Sequence, residues 1–247
     1  MNPAYRLLLL SSSRTADSEF LQHAQPHIEQ FLDGRVRHAA FLPYAAVRIS
    51  YDEYTERVRA WFARLGCTIS GLHHVEDVPR ALAEAECIIV GGGNTFHLLH
   101  ELYRHELVGP LRQRIAEGAA YLSWSAGSNV ACPSIRTTND MPIIWPPNCE
   151  ALGLVPFQIN PHYTDAHPSG HQGETRAERL AEFNVLNPQV PVVGLREGSA
   201  LQVQNGKVQL LGNHPAHISR GAQNWEAAPG SWLDDILNHD DGNAGMR

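Results

Sequence analysis

The chain has 247 residues, 43% hydrophobic and 18% charged, with a formal net charge of −7. That acidity, without any basic stripe or long like-charge run, argues against a nucleic acid or an anionic membrane as partner. No apolar run approaches the ~20 residues needed to cross a bilayer, and the apolar stretch within Met1 to Leu10 is too short for a signal-peptide core. Cys67, Cys87, Cys132 and Cys149 show no CxxC pairing, and three lie in or beside apolar stretches. Reduced, buried thiols in a cytoplasmic protein are expected. No convincing interdomain linker or internal repeat interrupts the chain, so one α/β domain spanning 1–247 is expected, with a mobile tail over the last ten residues.

Leu7-Leu8-Leu9-Leu10 followed by Ser11-Ser12-Ser13 reads as a central strand running into a polar loop. Phe20, Leu21, Ala24, Ile28, Phe31 and Leu32 recur at helical spacing and stop near Gly34. Ala39 to Leu42 is a second short strand, and Tyr51 to Leu65 an amphipathic helix stopped by Gly66. Cys67 to Ser70 resumes β character, and Val78 to Ala85 is a short helix. Cys87-Ile88-Ile89-Val90 reads as a buried strand, broken by Gly91-Gly92-Gly93-Asn94 before a helix over Thr95 to Arg104. Another helix, Leu107 to Glu117, precedes the apolar strand Ala119 to Leu122. Strands alternating with helices predict a mostly parallel sheet covered on both faces.

Beyond Cys132 the pattern loosens into a proline-rich irregular segment over 133–150, of the length that is often functional. An apolar strand is expected over Leu154 to Ile159, a helix from about Glu174 to Leu186 and a strand over Val190 to Leu195. Ala200 to Leu211, split at Asn205-Gly206, reads as a hairpin. After Gly221 the pattern is weak.

Ser123-Trp124-Ser125-Ala126-Gly127 follows a buried strand. A serine between a strand and small residues at a helix start is how a sharp turn presents a hydroxyl for attack. Its small neighbours tolerate a strained backbone and let a substrate carbonyl approach closely. Ser125 is thus the candidate nucleophile, and it needs a base. Of 14 histidines, His162 in Ile159-Asn160-Pro161-His162 is best placed, just past an apolar strand. Ligands and catalytic groups of open α/β sheets gather at that carboxyl edge. Glu197, just past the strand ending at Leu195, is placed to fix the imidazole tautomer. The triple glycine offers backbone N–H groups for an oxyanion, with the amide of Ala126 as a second donor. It lacks the lysine of a P-loop and the spacing of a dinucleotide fingerprint. His162, His167 and His171 with Asp165 carry metal-type side chains, but their loop-like spacing aligns no helix face, so no metal is expected.

Several ordered stretches resemble the peptidase E family of aspartyl dipeptidases over nearly the whole chain, from Leu7 to about Gly212. They are Ile89 to Phe96, Trp124 to Gly127, Arg136 to Pro142, Ile159 to His162 and Gly173 to Arg176. The resemblance implies an α/β three-layer sandwich with a mostly parallel central sheet, flavodoxin-like and shared with class I glutamine amidotransferases. It implies Ser125 as nucleophile, His162 as base and acid, Glu197 as orienting acid and an oxyanion hole from Gly93 and Ala126, with no cofactor. Arg176 matches the position that grips the substrate aspartate, and Asn94 and Asp140 fall at the expected substrate site. Asp140 is either a rival for the acid role or a seat for the substrate's free amine. The implied substrates are small peptides with an N-terminal aspartate, and a homodimer is compatible with the sequence. Two alternatives stay open, a β-aspartyl or cyanophycin-type peptidase on the same fold and a catalytically silent ligand-binding module. The chain departs from the family's pattern at Ser123, where glycine is usual, and matches poorly after Gly212.

Overall fold

In the computed structural model, residues 5–166, 170 and 172–234 are described. The expected mobile tail and two members of the histidine group, His167 and His171, lie outside them. Among the described residues eleven strands form two sheets: β1 (Arg6–Leu10), β2 (His38–Leu42), β3 (Thr68–Gly71), β4 (Cys87–Val90), β5 (Ala120–Trp124), β6 (Gln158–Tyr163), β7 (Val192–Arg196), β8 (Ala200–Gln204), β9 (Lys207–Leu211), β10 (Ala216–Arg220) and β11 (Gln223–Ala227). Seven helices accompany them: α1 (Gln25–Leu32), α2 (Tyr51–Ala63), α3 (Val78–Glu84), α4 (Thr95–Arg104), α5 (Val108–Ala116), α6 (Ala126–Val130) and α7 (Arg176–Leu186).

The larger sheet runs β3-β2-β4-β5-β1-β8-β9. Its first five strands are parallel, and the β8–β9 hairpin continues it antiparallel beside β1. Continuous apolar runs make this sheet because both of its faces are covered. Side chains alternate across a strand, so Leu7 and Leu9 enter one core with Ile88, Val90, Leu98 and Leu102. Leu8 and Leu10 enter the other with Phe41, Ile89, Ile28 and Phe62. This is the expected α/β sandwich with a mostly parallel central sheet.

Local signals set the element ends. Ser50 and Glu53 form a reciprocal capping box on α2, and Thr175 and Glu178 form another on α7. Two expectations shift. The helix expected from Phe20 begins only at Gln25, because Leu21 takes φ +55° and breaks the spiral. The strand expected over Leu154 to Ile159 is instead β6: the Leu154 and Val155 amides donate to Ala131 O, so this apolar stretch is buried as a loop.

The candidate site residues do not all follow strands of one sheet. Strands β6 and β7 belong to a second sheet of order β11-β10-β7-β6, in which only β6 and β7 are parallel. Ile159, Val193, Leu195 and Ile218 of this sheet share a core with Leu7 and Leu9, and α7 covers its other side through Leu180. Among the described residues, no helix is long and apolar enough to cross a membrane.

Candidate active site

Ser125 stands between β5 and α6 with φ +53° and ψ −116°, a conformation that costs a non-glycine residue about 1–3 kcal/mol. The surroundings hold it there. Its amide donates to Leu10 O at 3.1 Å, and its carbonyl accepts from the amides of Ser128 and Asn129. Close packing leaves no room for larger neighbours. A Cβ on Gly127 would sit 2.3 Å from Val90 O, and one on Gly92 would sit 2.9 Å from Ser125 Cβ. At the family-divergent position, the buried Ser123 hydroxyl lies 3.1 Å from Ser128 Oγ, so the extra polar atom is partnered.

His162 lies inside β6, where register slips between Pro161 and Tyr163 and φ reaches +53°. Such a bulge re-aims a side chain. Here it turns the imidazole toward the first sheet: Nε2 is 2.9 Å from Ser125 Oγ and Nδ1 is 2.6 Å from Glu197 Oε1. A carboxylate on Nδ1 demands an N–H there, which leaves Nε2 as the acceptor for the serine proton. Glu197, just past β7, is therefore the carboxylate on the imidazole. Asp140 is elsewhere: its Oδ2 accepts the Thr95 amide at 2.7 Å and the Thr95 hydroxyl at 2.6 Å. Arg196 is not paired with Glu197 but bonds Asp165 and Glu226.

Three supports were not read from the sequence. Ser11 Oγ accepts the His162 amide at 2.9 Å and donates to Leu195 O at 2.6 Å, tying the end of β1 to β6 and β7. Trp124 Nε1 donates to the Tyr54 hydroxyl, which donates to Gly92 O at 3.1 Å and so holds the glycine loop. Burial pushes the Tyr54 hydroxyl up to about 12, which keeps it a neutral donor. Thr95 anchors Asp140. The only sequence signal for any of these is the serine run after β1.

Gly93 has φ +149°, and a Cβ there would lie 2.0 Å from Ala45 O. That same carbonyl accepts the Asn94 amide, so the loop is pinned against the segment after β2. Asn94 caps α4 through Oδ1 and holds Met141 O through Nδ2. A cavity of about 530 Å³ opens beside this loop, lined by Gly92, Gly93, Asn94, Asp140, Ile143 and Arg14 among others. A second of about 530 Å³ flanks His162 and Glu197.

Arg176 opens α7, half-buried. Burial, then the like charge of Arg179, lowers its pKa, while Tyr163 opposes the shift. Arg179, not Arg176, pairs with Glu174. Among the described residues Arg176 has no ion pair with a carboxylate.

Comparison with known proteins identifies the family. The model of peptidase family S51 matches residues 7–211. A curated protein named peptidase E from Shewanella amazonensis is 50% identical over 233 residues, covering 94% of this chain and 99% of its own. Another from Shewanella baltica is 52% identical over 231 residues, covering 93% and 96%. Two solved structures share the fold. A peptidase from an acI-B1 actinobacterium superposes with TM-score 0.68 at 18% identity over 92% of this chain and 96% of its own. A putative peptidase E from Listeria monocytogenes gives 0.59 at 23% over 91% and 98%. With half of its residues shared along nearly its full length, the chain is a member of peptidase family S51 and a hydrolase of peptide bonds.

Proposed function

We propose that this peptidase is a serine-type dipeptidase that releases N-terminal aspartate from Asp-X dipeptides through an acyl-enzyme. The observation that carries the reading is the unbroken chain from Ser125 Oγ through the His162 ring to Glu197, at 2.9 and 2.6 Å. Ser125 attacks the aspartyl carbonyl while His162 Nε2 takes its proton, and Glu197 stabilises the imidazolium that forms. The amides of Gly93 and Ala126 receive the developing oxyanion. His162 then returns the proton to the leaving amine, water attacks the ester, and aspartate departs.

Substrate selection follows from charge. Among the described residues the Arg176 guanidinium pairs with no carboxylate, and bidentate bonding distinguishes a carboxylate from its amide isostere. Asp140 engages the protein through Oδ2 and presents its other oxygen to the substrate's ammonium group. No cofactor is needed for any of these steps. The thiols suit a reducing cytoplasm: Cys87 and Cys132 are fully buried, and burial pushes Cys67 up to about 11.

A panel of Asp-Leu, Asn-Leu and β-linked Asp-Leu tests the reading. Asp-Leu is expected to be cleaved, with Asn-Leu at least ~100-fold poorer, as befits a site built for one charged partner. Equal cleavage of Asn-Leu would remove aspartate from the assignment, and preference for the β linkage would shift the scissile carbonyl one carbon outward.

A further inference from the structure

A 3₁₀ turn over Leu72–His74 follows β3. Successive side chains usually diverge, yet here both imidazoles turn to one oxygen. His73 Nε2 is 2.9 Å from Asp52 Oδ1, and His74 Nε2 contacts the same atom more closely still. The two rings lie 4.1 Å apart at a tilt of 41°. The three donor atoms are all within 4.8 Å of one another. We propose that Asp52, His73 and His74 form an open site for a zinc-type divalent cation, distinct from the Ser125 centre.

The donor set suits that ion. Two imidazole nitrogens and one carboxylate oxygen are a zinc combination that leaves a fourth position for water. Donors around a tetrahedral zinc stand roughly 3.3 Å apart, given metal–ligand lengths near 2.0–2.1 Å, so the His73 contact opens by roughly 0.4 Å and the shorter His74 contact by about twice that. His74, 66% exposed, has the freedom to do so.

His73 is built into place. Its side chain is only 9% exposed. It packs edge-on to Tyr51 at 5.7 Å, and a Cβ on Gly71 would lie 2.6 Å from its Cε1. Gly71 has ordinary extended φ, so what it provides is room for the ring.

The second, independent observation lies behind that ring. His73 Nδ1 and Thr55 Oγ1 are both buried without a hydrogen-bond partner, a cost that folded proteins seldom tolerate. They flank the same point: the Cβ position of Gly71 is 2.9 Å from His73 Nδ1 and 2.9 Å from Thr55 Cγ2. When Nε2 gives its lone pair to a cation, the ring proton resides on Nδ1. A χ1 step of Thr55 that exchanged Cγ2 for Oγ1 would turn its hydroxyl toward this side of the ring as the acceptor. Cation binding would then leave neither atom orphaned, the outer-shell pattern expected of a metal-bound histidine. The site joins the first turn of α2 to the end of β3, so its effect is on stability rather than on hydrolysis.

The test uses the full-length, tag-free protein stripped with chelator, with Zn²⁺ alone as the probe, followed by calorimetric titration and thermal unfolding. One zinc per chain is expected, raising Tm, with Asp-Leu hydrolysis unchanged. His74→Ala and Asp52→Asn, both at exposed positions, should each weaken binding at least tenfold. Thr55→Val keeps the shape but removes the hydroxyl, and should weaken it roughly 10–100-fold. No heat and no rise in Tm with zinc in large excess would overturn the site. So would zinc binding of unchanged affinity in His74→Ala and Asp52→Asn, which would place the ion elsewhere.

Discussion

Gly93→Ala isolates the contribution of the glycine loop, since it adds one methyl group where the structure has neither the space nor the backbone angle for it. The new Cβ would lie 2.0 Å from Ala45 O and 2.6 Å from its carbonyl carbon, whereas real Cβ contacts stay beyond 3.0 Å. The two backbone segments must therefore part by roughly 1 Å, stretching the 2.9 Å bond from the Asn94 amide to the same carbonyl. Strain at φ +149° adds about 1–3 kcal/mol, and overpacking about 1–3 kcal/mol more. For a chain of this size, a loss of ~2–6 kcal/mol lowers Tm by roughly 5–20 °C. An oxyanion donor moved by ~1 Å no longer meets the developing charge, so kcat on Asp-Leu should fall about 10²–10³-fold, with a smaller change in KM. Gly153→Ala is the control: its φ is also positive, at +60°, but nothing lies within 4 Å. It should cost about 1–2 kcal/mol and leave kcat unchanged. Steady-state kinetics and calorimetry on both variants decide the matter. A Gly93→Ala enzyme matching the Gly153→Ala control in Tm, with kcat within a few-fold of wild type, would refute both the packing argument and the oxyanion role.

Other perturbations separate substrate reading, positioning and stability. Arg176→Ala removes no ion pair seen among the described residues, so Tm should hold while kcat/KM for Asp-X falls about 10–150-fold, the worth of one charge-assisted bond; equal losses on Asp-X and Asn-X would show that another group reads the side chain. Ser11→Ala strips partners from the His162 amide and the Leu195 carbonyl, costing about 1–3 kcal/mol in denaturant unfolding and lowering kcat more than KM through a loosened imidazole; unchanged stability would contradict the staple. At Glu226, burial opposes ionisation, but bonds from Arg196 and His217 outweigh it and hold its pKa below the ordinary value. Its contribution is therefore present above the unfolded carboxylate pKa and lost as pH falls through the depressed folded one. Glu226→Gln should accordingly be less stable than wild type at pH 7, with the gap in Tm closing below about pH 4; a gap that widens on acidification would reverse the sign of this argument.

Much of the architecture was legible because burial on both faces leaves a plain mark. Leu7 to Leu10 and Cys87 to Val90 are uninterrupted apolar runs, and both are central strands. The serine turn was legible from the small residues around Ser125, and Glu197 from its place past β7. What escaped depends on distant pairing. The chain after Gly212 forms β10 and β11, but in β11 only Trp225 and Ala227 alternate inward while Gln223, Asn224 and Glu226 are exposed, too short a pattern to betray a strand. The partition into two sheets rests on β6 pairing with β7 rather than joining β1, which neither segment announces. Leu21 has the spacing of a helical residue, yet its amide bonds Ser13 O at 2.7 Å and its backbone turns left-handed. Ser11 sits 151 residues from the histidine it supports, and no local pattern encodes that contact.

The most direct test of the account is the turnover of Ser125→Ala on Asp-Leu beside the wild type, with Tm measured on the same samples. The hydroxyl bonded to His162 is the proposed nucleophile, so the account predicts a loss of at least ~10⁴-fold in kcat/KM with the fold intact. Hydrolysis retained within tenfold by a folded, wild-type-stable Ser125→Ala protein would contradict it.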